Sequence, residues 1–289
     1  MKKKAVAVVM TAVMALGMVS AVSVQAGIED KTLIVGFDAE YPPYGYMDEN
    51  GEYTGFDLEL AQAVCDLEGW ELEKKPINWD SKDMELNSGS IDCIWNGFTM
   101  NGREDDYTFS EPYVDNSQVI VVADDSGIEK LTDLAGKTVG VQAASAALDL
   151  LQSEEEGGQK ELADTFGALN EFADYNTAFT ELQAGALDAL AIDVGVAKYQ
   201  LNSRGEGFKI LDETLNTEQY AIGFKKGNTE LCDIVNADLQ KRADDGTVAE
   251  LADKYEIADM VTLKASDDAS AEDSKDATDD AETDKTEEK

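Results

Sequence analysis

The chain has 289 residues, 43% of them hydrophobic, which suits one large domain or two of ordinary size with a real core. Its formal net charge of −38 argues against nucleic-acid binding, because phosphate contacts need Lys and Arg. There is no histidine, which excludes Ser-His-Asp and Cys-His nucleophile systems and His-ligated zinc.

The two ends of the chain differ from its middle. Residues 1–26 combine three lysines, an apolar run and small residues up to Ala26, the layout of a secretory signal peptide. A membrane-anchor helix is the alternative, but Ala and Gly dilute the run and no basic stop follows it. Residues 264–289 are strongly acidic, so we expect a disordered tail. We predict an exported protein, periplasmic or at the cell surface, without a lipid anchor on an N-terminal cysteine.

Between the ends, short apolar runs alternate with segments of helical periodicity. The runs that predict strands are 33–37, 91–94, 138–142, 171–172 and 189–192. The segments that predict helices are 56–67, 81–86, 145–151, 177–183, 194–201 and most of 231–263. This alternation indicates an α/β architecture with parallel pairing and helices on both faces.

Two β-rich runs, 118–122 and 220–224, lie where one α/β group gives way to the next. We interpret them as strands that cross between two lobes and form a hinge. Lobe one then comprises residues 27–119 and 221–263, and lobe two comprises 120–220. The predicted fold class is α/β, a two-lobe fold with two mixed sheets flanked by helices.

The three cysteines, Cys65, Cys93 and Cys232, form no CxxC pair. We interpret them as small buried apolar residues. A disulfide between Cys65 and Cys93 is the alternative, which spacing alone does not decide.

Four sequence blocks carry a family resemblance. In chain order they are FDAEYPPY (37–44), GFTMNGR (97–103), LTDLAGKTVGVQ (131–142) and YAIGFKKG (220–227). Over residues 31–260 the chain resembles the type II periplasmic-type solute-binding proteins of polar amino-acid ABC transporters, bacterial extracellular solute-binding protein family 3. The resemblance implies a monomer that binds a free polar amino acid between its lobes and delivers it to an ABC permease. It implies neither catalysis nor a cofactor.

A free amino acid is a zwitterion, and a buried site must pair both of its charges. Arg103 matches the family's carboxylate-binding arginine, whose planar guanidinium offers a bidentate fork. The segment from Gly97 to Arg103 is one residue shorter than is usual in the family. A surface ion pair of Arg103 with Glu104 or Asp105 is the alternative.

The ammonium group needs acceptors. The resemblance assigns this role to Asp193, which follows a predicted strand at the end where open α/β sheets bind ligands. Asp193 has an alternative or additional role as the N-cap of the next helix. The Gly97 carbonyl and the Thr99 hydroxyl would complete the ammonium and carboxylate contacts. From lobe two, Ser145 and Ala146 open a helix whose free N–H groups would face the carboxylate, with Ser145 as a simple N-cap the alternative.

The ligand side chain would meet lobe-one loops. Tyr41 and Trp79 occupy positions where the family keeps residues that sandwich the side chain, and core packing is the alternative for Trp79. Asp38 matches the family position that recognises the ligand side chain. With Glu40 nearby, it favours a cationic or hydrogen-bond-donating group.

Three other functions fit parts of the pattern. Some relatives resemble cyclohexadienyl or arogenate dehydratases, in which Glu40 or Asp38 would act as general acid or base. An extracellular amino-acid sensor domain is a second alternative, and the absence of a downstream apolar span argues against it. The third is a cell-surface interaction protein that binds no amino acid.

Overall fold

Two large β-sheets organise residues 31–266, the part of the chain that the computed structural model describes. The predicted signal peptide and nearly all of the predicted acidic tail lie outside the described residues. In chain order the strands are β1 Thr32–Phe37, β2 Glu40–Tyr41, β3 Gly45–Met47, β4 Tyr53–Thr54, β5 Glu71–Pro76, β6 Cys93–Ile94, β7 Tyr107–Phe109, β8 Val114–Ala123, β9 Thr138–Gln142, β10 Ala168–Phe172, β11 Ala189–Asp193, β12 Phe208–Ile210, β13 Asn216–Tyr220 and β14 Gly223–Lys225.

Eight α-helices pack around these sheets in the described part of the chain. They are α1 Phe56–Glu68, α2 Lys82–Ser88, α3 Ala146–Gln152, α4 Lys160–Ala163, α5 Tyr175–Gln183, α6 Val194–Arg204, α7 Thr229–Asp244 and α8 Thr247–Lys254. Helix α1 shows why they form: Phe56, Leu60 and Val64 recur every four residues and are fully buried. It ends where Gly69 adopts a left-handed conformation.

The first sheet has the strand order β5-β1-β6-β14-β7. Strand β1 is parallel to β5 and β6, whereas β14 is antiparallel to β6 and β7. The second sheet has the order β10-β9-β11-β8-β12, with β13 also paired to β8. In it, β9, β10 and β11 are parallel, and β8 is antiparallel to β11, β12 and β13. The two mixed sheets confirm the predicted fold class.

Strand β8 links the two halves of the molecule. Its first residues pair with β13, and its later residues pair with β11 and β12. Isolated bridges join Val114 to Val261 and Thr99 to Tyr220, so the end of the β8–β13 ribbon where Val114 pairs with Tyr220 also contacts the segments that follow α8 and β6. The predicted lobe boundaries, at 119/120 and 220/221, fall inside β8 and at the end of β13 and remain a prediction.

Three sequence expectations need correction. The run 220–224 is two strands, because the Ala221 N–H bonds to the Phe98 carbonyl and the Ile222 N–H bonds to the Ser110 hydroxyl. Of the strand predicted at 91–94, only Cys93–Ile94 forms a strand, which is β6. The helical segment predicted across 231–263 is two helices, separated at Gly246 with φ 85° and ending at Lys254.

All three cysteines are buried and none forms a disulfide. This confirms their interpretation as small apolar residues. The alternative of a bond between Cys65 and Cys93 is wrong. Burial raises the pKa of the Cys65 thiol to about 12, which keeps it protonated and unreactive.

Candidate functional site

Asp193 is a buried carboxylate at the carboxyl end of β11, with 4% of the residue exposed. Its Oδ1 accepts hydrogen bonds from Asn116 Nδ2 at 2.9 Å, Gln118 Nε2 at 2.6 Å and the Tyr220 hydroxyl at 2.7 Å. Its Oδ2 accepts only a long bond, 3.4 Å, from the Tyr175 hydroxyl among the described residues. The side chain does not cap α6. Asp193 therefore keeps acceptor capacity on Oδ2.

Glu218 is a second buried carboxylate beside Asp193, and sequence reasoning missed it. Its Oε1 accepts from the Thr99 hydroxyl at 2.8 Å, from Asn116 Nδ2 at 2.8 Å and from Gln118 Nε2 at 2.7 Å. Burial first, and then the Asp193 charge, raises the pKa of Glu218. Because Thr99 donates its only hydroxyl proton to Glu218, its oxygen is left to accept a bond from a ligand.

Strand register explains why these polar groups meet. In the second sheet Gln118 lies opposite Asp193, and Asn116 lies opposite Glu218. Alternate residues of a strand share one face, so Asn116 and Gln118 point the same way. The available signal was a pair of amides two residues apart in the polar first half of a strand whose second half is apolar.

Gly97 forms a tight turn beneath this cluster. Its φ is 55°, and a Cβ there would lie 2.9 Å from the Tyr220 ring and 3.0 Å from the Tyr41 ring. The Gly97 N–H is held by Asp57 Oδ2 at 2.5 Å, and the other Asp57 oxygen accepts from the Tyr113 hydroxyl. Complete burial raises the pKa of Asp57 to about 7. Only glycine fits here without displacing the tyrosines.

Tyr41 lies in the same aromatic cluster. Its hydroxyl is 3.2 Å from the Tyr220 hydroxyl, and its ring is 6.0 Å from that of Tyr175 between centroids. Because Tyr220 donates to Asp193, the Tyr41 hydroxyl donates to Tyr220. Tyr41 and Tyr220 thus extend the hydrogen-bond network of Asp193 towards the first sheet.

Arg103 reaches from the first sheet to the second. Its Nη1 donates to the Thr99 carbonyl at 3.3 Å, and its Nη2 donates to Asp149 of α3 at 2.7 Å. Its side chain is 12% exposed, whereas that of Asp149 is 63% exposed. The expected alternative partners, Glu104 and Asp105, form no salt bridge with it in the described structure. The guanidinium also lies 5.0 Å from the centre of the Phe98 ring.

Ser145 caps α3, since its hydroxyl accepts from the Leu148 N–H at 3.2 Å. Ala146 is the first helical residue and is half-buried. The alternative role of Ser145 as an N-cap is therefore observed. Nearby, Lys82 donates to the Ala144 carbonyl at 3.2 Å and so contacts this loop from the other sheet. Burial, and then the Arg103 charge, lowers the pKa of Lys82.

Asp38 and Trp79 border a cavity of about 660 Å3 between elements of the two sheets. Asp38 Oδ2 accepts from Gln142 Nε2 at 2.6 Å, and burial raises the pKa of Asp38 to about 6. The Trp79 ring packs edge-on against Phe98, as its alternative role predicts, and it also lines the cavity. Acidic residues dominate the charged lining, and neither Lys nor Arg is among the described lining residues: Asp38, Glu40, Asp80, Glu85 and Asp174.

Within residues 31–266 no group of three or more Cys, Asp or Glu side chains is arranged to hold a metal ion. Nor does any helix of that region have both the length and the apolar character needed to cross a bilayer. The candidate site residues fall into two groups: Asp193, Glu218 and Ser145 lie on or beside elements of the second sheet, and Asp38, Thr99 and Arg103 follow strands of the first.

Comparison with known proteins identifies the family. The family model described as bacterial extracellular solute-binding proteins, family 3, matches residues 33–258. The chain belongs to this family. Its fold is the two-lobe periplasmic-binding-protein-like fold.

Individual family 3 relatives cover most of the chain. The L-cystine-binding protein TcyJ of Escherichia coli is 29% identical over 260 residues, which are 86% of this chain and 94% of that protein. The arginine-binding extracellular protein ArtP of Bacillus subtilis is 34% identical over 229 residues, 78% of this chain and 86% of that one. An ABC uptake transporter substrate-binding protein from Streptococcus pneumoniae, solved with bound histidine, has a TM-score of 0.75 at 33% identity and covers 80% of this chain and 95% of that one.

Proposed function

We propose that this chain is the substrate-binding component of an amino-acid ABC importer, which captures a free polar amino acid between its lobes. The observation that carries the proposal is the environment of Asp193. Every donor to this buried carboxylate is neutral, and no Lys or Arg of residues 31–266 forms a salt bridge with it. A buried carboxylate without a cation is costly, and a ligand ammonium group would supply that charge.

The acceptors around Asp193 suit an ammonium group, which has three N–H donors. Asp193 Oδ2 would take one, and the Gly97 carbonyl and the Thr99 oxygen would take the others. Thr99 is then an ammonium contact, because Glu218 already accepts its proton. The hinge strands thereby hold the amino end of the ligand.

The carboxylate of the ligand would bind Arg103. Its guanidinium has five N–H donors, and the described contacts to Thr99 and Asp149 leave others free for a carboxylate. Ser145 and Ala146 stay the predicted lobe-two donors, through backbone N–H groups, since the Ser145 hydroxyl oxygen caps its own helix.

The acidic cavity supports a ligand with a second cationic or hydrogen-bond-donating group. Asp38 and Glu40 line it together with three further acids, and the Trp79 ring offers an aromatic face. A guanidinium, or the second ammonium of cystine, fits this chemistry. The relatives named for arginine and L-cystine are consistent with that choice.

Closure of the lobes would couple capture to transport. Direct contacts already span them: Gln142 to Asp38, Arg103 to Asp149, Lys82 to the Ala144 carbonyl, and Asn176 to Glu40. Raising the population of the closed form from 1% to 99% needs a ligand that binds the closed form more tightly than the open form by roughly 5.5 kcal/mol. A micromolar ligand has about 8 kcal/mol in total, so the demand is met. The permease would recognise the closed pair of lobes.

The proposal includes a non-catalytic role and export, without an N-terminal lipid anchor. The relatives named above are binding proteins, which supports the first point. The family description as extracellular and the pattern of residues 1–26 support the second. Failure to turn over arogenate or prephenate would agree with a binding role.

A thermal-shift screen against the twenty amino acids, ornithine, citrulline and cystine tests the function. A ligand at 100 times its Kd stabilises the fold by about 2.7 kcal/mol. We expect the largest shifts from arginine, ornithine or cystine. A uniform lack of shift across the panel would contradict amino-acid capture.

A further inference from the structure

Asp193 and Glu218 form a linked carboxylate pair, and the inference drawn from it rests on the proposed amino-acid site. The Asn116 amide nitrogen donates to both acids, and so does the Gln118 amide nitrogen. The oxygens concerned are Asp193 Oδ1 and Glu218 Oε1, which therefore share two donor nitrogens. Only 4% and 5% of these two residues are exposed, so water does not screen the two acids from each other.

Acceptors exceed donors around the pair. Each amide uses its nitrogen on the two carboxylates, while the side-chain oxygens of Asn116 and Gln118 are buried without a hydrogen-bond partner among the described residues. The Thr99, Tyr175 and Tyr220 hydroxyls each donate their single proton to one of the acids, and the Asn216 amide adds only a long bond, 3.4 Å, to Glu218 Oε2. One additional proton on the pair, or the N–H groups of an ammonium ion, would relieve this excess.

The charged surroundings of the pair are acidic on several elements. Tyr220 of β13 and Tyr175 of α5 face it, and burial holds the pKa of both phenols well above its usual range. Asp115 of β8 and Asp259 beyond α8 line the same outer pocket as Glu218. The Arg103 guanidinium donates to the Thr99 carbonyl rather than to either acid, and Asp149 already pairs with it. Two adjacent buried acids without a cation favour retention of a proton.

We propose that Asp193 and Glu218 hold a single proton between them in the ligand-free cleft, and that the ammonium group of a captured amino acid displaces this proton into solvent. Glu218 is then a positioning residue that acts through Asp193 and Thr99. Burial and the Asp193 charge raise the pKa of Glu218. A cation at Asp193 offsets the charge that raises the pKa of Glu218, so the bound state holds fewer protons and affinity rises with pH.

Calorimetric titration in buffers of different ionisation heat measures the protons released. L-Arginine is the first probe and L-cystine the second, between roughly pH 5 and 7, where the α-amino groups of both stay protonated. We expect release of up to about one proton per ligand, with affinity rising up to about tenfold per pH unit where release is complete. Binding with no buffer dependence at any pH would overturn the proton proposal and leave the proposed function intact.

The variant E218Q assigns the proton to the pair. Glutamine keeps an oxygen for Thr99 but does not titrate, so we expect proton release and the pH slope of affinity to fall. Asp38 and Asp57, whose pKa values are raised to about 6 and about 7, titrate in both proteins, and the difference between the proteins isolates Glu218. The control is E206Q, at an exposed residue. Equal proton release in E218Q and wild type would refute the pairing.

Infrared difference spectra of the wild-type protein give a second readout that does not depend on the variant. With glutamate and aspartate carboxyls labelled with 13C in separate samples, L-arginine or L-cystine should remove a protonated C=O band that shifts with one of the labels. Absence of any such band would overturn the proposal. If neither these probes nor any other amino acid of the panel binds, the proposed function itself fails.

Discussion

Gln118 lies directly opposite Asp193 in the second sheet, and its amide nitrogen donates to the Asp193 carboxylate over 2.6 Å. The contact fixes the carboxylate at the end of β11 through the strand that we predict to join the lobes. Movement of this strand on closure would therefore carry Asp193 with it. The proposed ammonium site is thus part of the predicted hinge.

The variant D193N should lose ligand binding and keep its fold. Asparagine retains an oxygen for the amide donors but removes the charge that would pair with the ammonium. Loss of one partner of a buried charge pair costs about 2–5 kcal/mol, so affinity should fall by at least ~30-fold. Calorimetry measures the loss, and D212N, at an exposed residue, is the control. Unchanged affinity in D193N would remove Asp193 from the site.

Arg103 and Asp149 should respond unequally to substitution. R103A leaves a bound carboxylate without its partner, so affinity should fall by at least ~30-fold. R103K should recover only part of the lost affinity, because a lysine ammonium does not bind a carboxylate in the bidentate way of a guanidinium. D149N removes a partner that is 63% exposed, and such ion pairs contribute about 0–1 kcal/mol. We expect its affinity to change less than about fivefold in the same titration. A larger loss in D149N than in R103A would reverse the assignment.

Ser145 should matter more for stability than for affinity. S145A removes the hydroxyl that accepts the Leu148 N–H, and loss of an N-cap costs about 1 kcal/mol. We expect a lower midpoint in urea unfolding, with affinity reduced only a few-fold because the backbone donors persist. An unchanged midpoint with a large affinity loss would show that the hydroxyl binds the ligand directly.

Asp57 makes stability depend on pH. Its pKa is about 7 in the folded protein and 3.8 in an unperturbed chain, so between these values the folded state binds the extra proton. Stability from this group is therefore present at low pH and is lost as pH rises towards 7, by on the order of 4 kcal/mol. D57N, whose amide can donate to Tyr113 and whose oxygen can accept from Gly97, should lack this decline.

Urea unfolding of wild type and D57N at pH 5 and pH 8 measures that difference. Asp38 and Glu218 titrate in both proteins, so only the contrast between the slopes reports on Asp57. D66N, at an exposed position of the same helix, is the matched control and should follow wild type. Parallel slopes in D57N and wild type would contradict the assignment.

Much of the fold and part of the site follow from the sequence alone. Apolar periodicity located β1, α1 and β11, because burial of one face imposes a period that local sequence carries. The position of Asp193 at the end of β11 was predictable for the same reason. The motif around Arg103 predicts a place beside the cleft, whereas its observed partner Asp149 is 46 positions away along the chain and no local pattern indicates it.

Tertiary structure alone decided how the polar groups combine. Gln118 meets Asp193 across 75 positions and Glu218 across 100, through the register of three strands. That register depends on the packing of the whole sheet, which no local pattern encodes. The same reason hid the division of 220–224 into two strands, since Phe98 and Ser110 redirect its hydrogen bonds. Sequence thus determined the fold family and the charged residue types expected at the cleft. Long-range strand pairing decided that Asp193 and Glu218 share the same two amide donors.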